Sequence, residues 1–348
     1  MLRNKKIAVV FTASILGGHE LMAVNHIKKF KKRGLDIYSF VPENNDKLIT
    51  LMKSSSLDYT LHKVRHRRLE IINSFINLKY LREAFSFLKG IHNNFDFVIV
   101  VQGDVELGSG FISAGRKLSL NNIISYIPYT HSFKVMGSRF ALVKDVLAKY
   151  AYRRCDKYIT ICSQFSLDLK KKNPKSQVRV LKNFVETPNV FKTNLTYENN
   201  VKKHGYLTIL MAGRIYFRQK GQDILIKALK RIPPNIHIQL NVIGDGPDFD
   251  KLVELSTELN GNIKVVFFGW KENVWEHSNS VDLLVIPSNY EGVPLIMLEA
   301  LKRNLPIIAP ARDGMLDYLD KNSLYPTGPS ECQSLANKIM DFFNERNC

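Results

Sequence analysis

The chain has 348 residues, 45% of them hydrophobic, which allows two domains with cores of their own and excludes a disordered or fibrous protein. Its formal charge of +18 lies entirely in the first part: residues 1–190 hold 32 Lys and Arg against 14 Asp and Glu, and residues 191–348 hold 18 of each. Cys155, Cys162, Cys332 and Cys348 form no C-x-x-C pair and no metal-ligand spacing, which fits a reducing cytosol, and no run of roughly eighteen apolar residues is present to span a bilayer.

The amino-terminal "MLRNKKIAVVFTASILGGHE" has the basic start and short apolar stretch of a signal peptide. However, a β-branched run that ends in Gly17-Gly18 and leads into a helical pattern reads as a first strand, its loop and a helix. That loop resembles a phosphate-approaching turn but lacks the G-x-G-x-x-G spacing and the Walker lysine. Three basic runs follow, "KKFKKR" (28–33), "HKVRHRR" (62–68) and "KKKNPK" (170–175). Each fits a solvated face; three in one half point to an anionic partner, whether a nucleic acid, a membrane surface or an acidic glycan.

Short Val- and Ile-rich runs recur at helix-length intervals: "KIAVVFTAS", "LDIYSFV", "FDFVIVVQ", "IISYIPYTH" and "KYITIC". This alternation predicts a doubly wound α/β domain with a parallel sheet. His131 stands at the end of one such run. A lone histidine is commonly structural, but the carboxyl end of a strand is where open α/β folds bind ligands. The polar stretch 187–206 has no apolar periodicity and coincides with the step in charge. It divides the chain into a first domain (1–186), a linker (187–206) and a second domain (207–348).

The second domain repeats the pattern with "LTILMAG", "IQLNVIG", "KVVFFG", "DLLVIPS" and "LPIIAP". In "AGRIYFRQKGQDILIKAL" (212–229) a strand turns at Gly213 into an amphipathic helix, placing Arg214 and Lys220 where two cations can hold a diphosphate; a glycine turn with surface cations is the plainer alternative. In "VIGDGPDFDKL" (242–252), Gly244 and Gly246 permit close approach of the backbone to a ligand. Asp248 and Asp250 fit first-turn acids of the following helix better than a metal site.

The most informative stretch is "DLLVIPSNYEGVPLIMLEAL" (282–301). An apolar strand ends at Pro287, a turn follows, and Pro294 suits a first helical position. The amides around Gly292, Val293 and Leu295 would then form an anion site. Glu291 and Glu299 flank them: one carboxylate of the pair can grip a ribose diol and the other a sugar hydroxyl. Glu299 lies in an apolar helix, where an unpaired carboxylate is costly.

Together "GGHE", "YTHSF", "RRCDKYITICSQ", "VRVLKNFVE", "AGRIYFRQKG", "VIGDGP", "FFGW" and "PSNYEGVPLIMLEALKRNLPIIAP" resemble the retaining GT-B glycosyltransferases of family four, also called group 1. The likeness covers nearly the whole chain and is most specific over 208–310. It implies two Rossmann-like domains facing a central cleft, the first for the acceptor and the second for a nucleotide-sugar donor. By the same resemblance Arg214 and Lys220 stabilise the leaving diphosphate. The spacing between them is one residue longer than the family's, so Arg218 can share that task.

The amides after Gly292 would help in the same way. Glu291 contacts hydroxyls of the transferred sugar, Glu299 the ribose, and His131 a hydroxyl near the reacting centre. Gly17 and Gly18 let the first-domain loop approach phosphate or acceptor, and Gly269 and Trp270 meet the base. The departures are Val293, where an aromatic residue or leucine is usual, "KNFVE" in which only Asn183 matches, and a looser match after residue 311.

The implied reaction is retaining transfer of a sugar, from a UDP-sugar more readily than a GDP-sugar, to a glycan or lipid-linked acceptor in bacterial surface polysaccharide or lipopolysaccharide synthesis. No cofactor or metal is expected. The implied location is the cytoplasm, with the basic half resting on the anionic inner face of the membrane. A sugar-nucleotide epimerase or phosphorylase would reuse the same cleft, and a non-catalytic partner subunit would keep the fold without turnover. Nucleic acid is not an expected partner, because neither an RNA-recognition signature nor zinc-finger spacing occurs.

Overall fold

The computed structural model describes residues 5–185, 205–278 and 280–347. The chain divides into two compact units, residues 1–183 and 184–348. The stretch 187–206 expected to be a linker lies outside the described residues except at 205 and 206, and Tyr206 already opens a strand.

The first unit is built on β1 (Lys6–Phe11), β2 (Asp36–Pro42), β3 (Tyr59–His62), β4 (Phe97–Val101), β5 (Ile123–Tyr126), β6 (Lys157–Thr160) and β7 (Gln177–Val180). They form a parallel sheet in the order β3-β2-β1-β4-β5-β6-β7. Parallel neighbours need crossovers, and a helix stands in each connection. Val9 of β1 sits in register between Ser39 of β2 and Ile99 of β4. The central strands are buried almost throughout. Val10, Val98 and Val100 pack with Tyr80, Phe111 and Tyr158 in one core.

The second unit has β8 (Tyr206–Ala212), β9 (His237–Ile243), β10 (Ile263–Phe267), β11 (Leu283–Val285), β12 (Ile307–Pro310) and β13 (Leu324–Tyr325), again all parallel, in the order β10-β9-β8-β11-β12-β13. Leu210 of β8 lies between Asn241 of β9 and Leu284 of β11. The last helix, Glu331–Asn347, buries Leu335, Ala336, Ile339 and Phe343 in this unit's core and packs against the helix Gln222–Leu229.

In each sheet the strand order reverses direction beside the first strand, between β1 and β4 and between β8 and β11. At such a switch point the two following loops diverge and leave a crevice at the carboxyl ends. The Gly17-Gly18 loop follows β1, the Arg214 loop follows β8 and the Glu291 turn follows β11. Among the described residues no helix is long and apolar enough to cross a membrane.

Candidate active site

In the second unit the Arg214 loop leaves β8 and is pinned against the end of β9. The amide of Gly213 donates to the Ile243 carbonyl and that of Ile215 to the Asp245 carbonyl, both at 2.9 Å, while the Ile215 side chain is buried. A Cβ on Gly244, whose φ is +146°, would lie 1.9 Å from the Gly213 oxygen, and one on Gly246 would lie 2.1 Å from the Ile215 oxygen. Both glycines make room for the Arg214 loop, so the protein's own backbone already requires the absence of a side chain there. Arg214 itself is exposed, its guanidinium 5.8 Å from the centre of the Tyr216 ring.

The loop continues into a single turn, Phe217–Lys220, that carries Arg218 and Lys220. Its first amide, from Phe217, donates to Asp248 Oδ2 at 2.9 Å, and this bond draws the Asp248 carboxyl below the usual range. Asp248 serves its own helix, as its position suggested, pairing with Lys251 at 3.1 Å, and serves the neighbouring turn as well. It precedes Phe249–Ser256 and caps the cation-bearing turn. Among the described residues no group of three or more His, Cys, Asp or Glu side chains is arranged to hold a metal ion. The turn ends at Gly221, with φ +61°, where a Cβ would sit 2.1 Å from the Pro287 oxygen. Only glycine allows both the left-handed bend and that approach, which brings the cations beside the end of β11.

Two further bonds stitch the turns together: Asn289 N donates to the Gln219 oxygen at 2.8 Å, and Asn289 Nδ2 to the Phe217 oxygen at 3.0 Å. Glu291 is buried, only 3% of its surface exposed. Its Oε1 accepts from the Lys220 ammonium and, at 3.1 Å, from the Ser288 hydroxyl. The charge is therefore tolerated because it is paired and hydrogen-bonded. Glu291 N donates to Asp313 Oδ2 at 2.9 Å, and Gly314 N to the Gly292 oxygen at 3.0 Å. Arg312 donates to the Asn289 oxygen and, at 2.6 Å, to Glu331 Oε1. The segment after β12 thus clamps the glutamate turn from behind.

Pro294 has the φ of a helical residue, −59°, but its ψ of 127° leaves it as the N-cap, and Leu295 is the first helical residue. The helix start expected at Pro294 is therefore one residue later. The amides of Leu295 and Ile296 have no helical carbonyl behind them, and Val293 is buried beside them. Glu299, in the helix Leu295–Lys302, is half-buried and accepts from Trp275 Nε1 at 2.7 Å. Arg303 lies with its guanidinium 4.0 Å from the Trp275 ring centre and donates to the Glu299 carbonyl at 3.3 Å. Trp270 is 70% exposed, and Gly269 accepts from Gly244 N at 2.9 Å.

In the first unit Gly17 caps the helix Gly18–Lys31, and its amide donates to Glu20 Oε2 at 2.8 Å. The buried Glu20 also pairs with His19. A Cβ on Gly103, in the loop after β4, would lie 3.1 Å from His19 Cε1, whereas no atom lies within 4 Å of the place for one on Gly18. His131 follows β5, half-buried and edge-on to Phe165 with ring centres 5.2 Å apart.

The structure thus brings Lys220 and Glu291 into contact and holds Arg214 and Arg218 on the adjoining loop, while Glu299 sits with Trp275. Gly17 and Gly18 lie beyond β1, His131 beyond β5. Sequence reasoning missed Ser288, Asn289, Arg312, Asp313, Trp275, His19 and Glu20. Ser288, Asn289, Arg312 and Asp313 had a usable signal, their position at or just after the end of a predicted strand.

Residues 194–347 match the family model of the glycosyl transferases group 1. The chain is 29% identical over 305 residues to an uncharacterized glycosyltransferase of Haemophilus influenzae, covering 84% of this chain and 76% of that one. It is 35% identical over 107 residues to the lipopolysaccharide 1,6-galactosyltransferase of Escherichia coli K12, spanning 29% of each. Among solved structures, the apo lipopolysaccharide outer core galactosyltransferase WaaB superposes with a TM-score of 0.75 at 20% identity, over 99% of this chain and 91% of that one. HepE of Anabaena in complex with UDP-glucose superposes with 0.67 at 15% identity, over 99% and 92%. Residues 194–347 are thus similar to the group 1 glycosyltransferases, and the chain shares the GT-B fold of these two solved structures.

Proposed function

We propose that the protein transfers a sugar from a UDP-sugar to a hydroxyl of a glycan or lipid-linked acceptor, with retention of the anomeric configuration and without a bound metal. The observation that carries this reading is the Lys220–Glu291 pair, stitched to the Arg214 loop at the β8/β11 switch point. The Glu291 carboxylate is held there by Lys220 and Ser288, and a sugar hydroxyl can take the place of the ammonium as its donor. The ammonium beside it is partly exposed, ready to exchange its counter-ion for a diphosphate. The choice of UDP rests on relatives of the same fold, since HepE is solved with UDP and UDP-glucose.

In this mechanism the bond between the anomeric carbon and the diphosphate oxygen breaks toward an oxocarbenium-like state. Arg214, Arg218, Lys220 and the amides around Gly292, Val293 and Leu295 take up the charge left on the diphosphate. As Lys220 moves to the phosphate, Glu291 Oε1 becomes free to accept from a sugar hydroxyl. Glu299 accepts from the ribose, and Gly269 and Trp270 meet the uracil. The acceptor oxygen attacks the same face that the leaving group vacates, and its proton passes to the departing phosphate oxygen.

His131 is assigned a hydroxyl of the reacting sugar, and the Gly17-Gly18 loop the phosphate or acceptor. The basic first unit would keep the enzyme at the inner face of the membrane in surface polysaccharide or lipopolysaccharide synthesis.

The test is to incubate the protein with UDP-galactose, UDP-glucose and UDP-N-acetylglucosamine, with and without lipid-linked acceptor, and to read the anomer of the product by NMR. Acceptor-dependent formation of an α-linked product in the presence of a chelator is expected. A β-linked product, or donor converted to an epimer without acceptor, would overturn the reading.

A further inference from the structure

The helix Ala141–Ala151 exposes most of its large apolar side chains. On its outward stripe, Leu142 is 73% exposed, Val143 52%, Val146 54% and Tyr150 58%. These positions follow helical periodicity and would ordinarily form the buried face. The inward side carries the small Ala148 and Ala151, with Leu147 against the core, and Lys144, only 5% exposed, whose ammonium lies 2.5 Å from Glu106 Oε2. Beside it, Asp145 accepts from the amides of Phe133 and Lys134 at 2.7 and 3.2 Å. Those bonds consume the polar groups that should have faced water, and they fix the helix with its apolar stripe outward.

The exposed apolar surface extends past the helix. Phe140 precedes it at 52% exposed, and Val135 protrudes from the neighbouring turn Phe133–Met136. The helix Glu70–Ile76 packs alongside, its last turn held by Arg154 through Ser74 and the Phe75 ring, and its final residue Ile76 and Leu78 beyond it are also exposed. Exposed cations surround this surface: Lys134, Arg139, Lys149 and Arg153. Between residues 133 and 154 the one acid is Asp145, already engaged.

We propose that this face is the membrane-docking surface of the protein: the helix Ala141–Ala151 lies in the plane of an anionic bilayer, with Leu142, Val143 and Val146 in the acyl boundary and the surrounding cations on lipid phosphates. An apolar stripe rimmed by lysine and arginine matches such an interface on both counts, since the side chains bury aliphatic area while their charged neighbours reach the headgroups. Phe140 and Tyr150 supply aromatic side chains at the same depth. A second copy of the chain fits poorly, because a two-fold contact would set these cations against themselves. The inference deepens the peripheral-membrane part of the proposed function and rests on it. Its readout is lipid binding, so a failure here is distinct from a failure of sugar transfer.

The full chain would be sedimented with phosphatidylcholine vesicles, with and without phosphatidylglycerol. Wild-type protein is expected to partition onto the anionic vesicles, and the double variant Leu142→Gln/Val146→Gln to bind them roughly tenfold more weakly. Its thermal melting and its stabilisation by UDP should be unchanged. Val143→Trp should bind more tightly than wild type, a gain that a misfolded protein would not show. Wild-type indifference to anionic vesicles overturns the proposal. So does equal binding by the double variant, or a wild-type dimer that the double variant turns into a monomer.

Discussion

The two units share a parallel-sheet plan but place their polar groups in opposite ways. In the second, the charged side chains that matter stand on loops at one switch point and are cross-braced from three directions, by Asp248, Asn289 and Asp313. In the first, the equivalent investment is internal. Glu70 is buried among His66, Tyr80 and the Gly108 amide, and Lys144 is buried on Glu106. Burial raises the Glu70 carboxyl above its usual value, and His66 is raised in turn by its bond to Glu70. Polar atoms spent on loops buy chemistry; spent inside, they fix the shape of a unit whose apolar residues are partly turned outward. The charge asymmetry of the sequence reflects the same split, with every excess cation in the unit that presents the apolar face.

The sharpest way to break this contrast is to remove the loop cations. Arg214→Ala/Lys220→Ala should lower kcat by roughly a thousandfold, since loss of one preorganised charge-stabilising group costs about 2.7–4 kcal/mol at a reacting centre. Arg214 is exposed, so Arg214→Ala alone should leave the melting temperature unchanged. Lys220→Ala should lower it as well, because Glu291 is then buried with Ser288 as its remaining side-chain donor. Steady-state kinetics with a UDP-sugar and calorimetry decide it. A double variant with wild-type kcat would remove the second unit's claim to the chemistry.

A second prediction belongs to the first unit and concerns stability. His26 is buried in the helix Gly18–Lys31, and desolvation, with help from Lys29, pushes its pKa from 6.5 down to about 4. Burial lowers His62 likewise. Below pH 6.5 the unfolded chain takes up protons that the folded chain refuses. The full stability is therefore present above pH 6.5 and declines as pH falls toward 4, by about 3 kcal/mol for His26 alone. Urea midpoints across that window should show the decline, and His26→Gln should flatten it. An unaltered slope in the variant would show that acid sensitivity lies elsewhere.

How much of this could be read from the sequence follows from where each interaction closes. The ten apolar runs all became strands, because a strand buried on both faces has a one-dimensional signature. The three strands without such a run, β3, β7 and β13, are each the last in their sheet. In β3 and β7, Thr60, Leu61, Arg179 and Val180 face solvent, so neither composition nor alternation marks them, and β13, with two residues, is too short to carry a pattern. The Arg214, Lys220 and Glu291 turns were legible because glycine and proline punctuate them locally.

Trp275, the bond from Glu291 to Asp313 and the bond from Phe217 to Asp248 were not legible. Each reaches a residue 20 or more positions away, and only the fold makes them neighbours. The helix Ala141–Ala151 is a subtler case: its periodicity announces an apolar stripe, but the sequence does not say which medium the stripe meets.

The smallest effect tests how finely the loops of the second unit are set. Trp275 Nε1 holds one oxygen of Glu299, leaving Oε1 for the ribose hydroxyl proposed above, while the indole ring carries the Arg303 guanidinium. Trp275→Phe keeps the ring and deletes the donor. Loss of one hydrogen bond to a charged group, about 1.5 kcal/mol, should raise the donor KM roughly tenfold with kcat little changed, the pattern of binding lost equally from ground and transition states. The sign carries the argument. If the ribose needs both carboxylate oxygens, Trp275 is a competitor that donor must displace, and Trp275→Phe would lower KM. An increase means that the tryptophan aims the carboxylate, and that the donor half positions its sugar-nucleotide contacts before the ligand arrives.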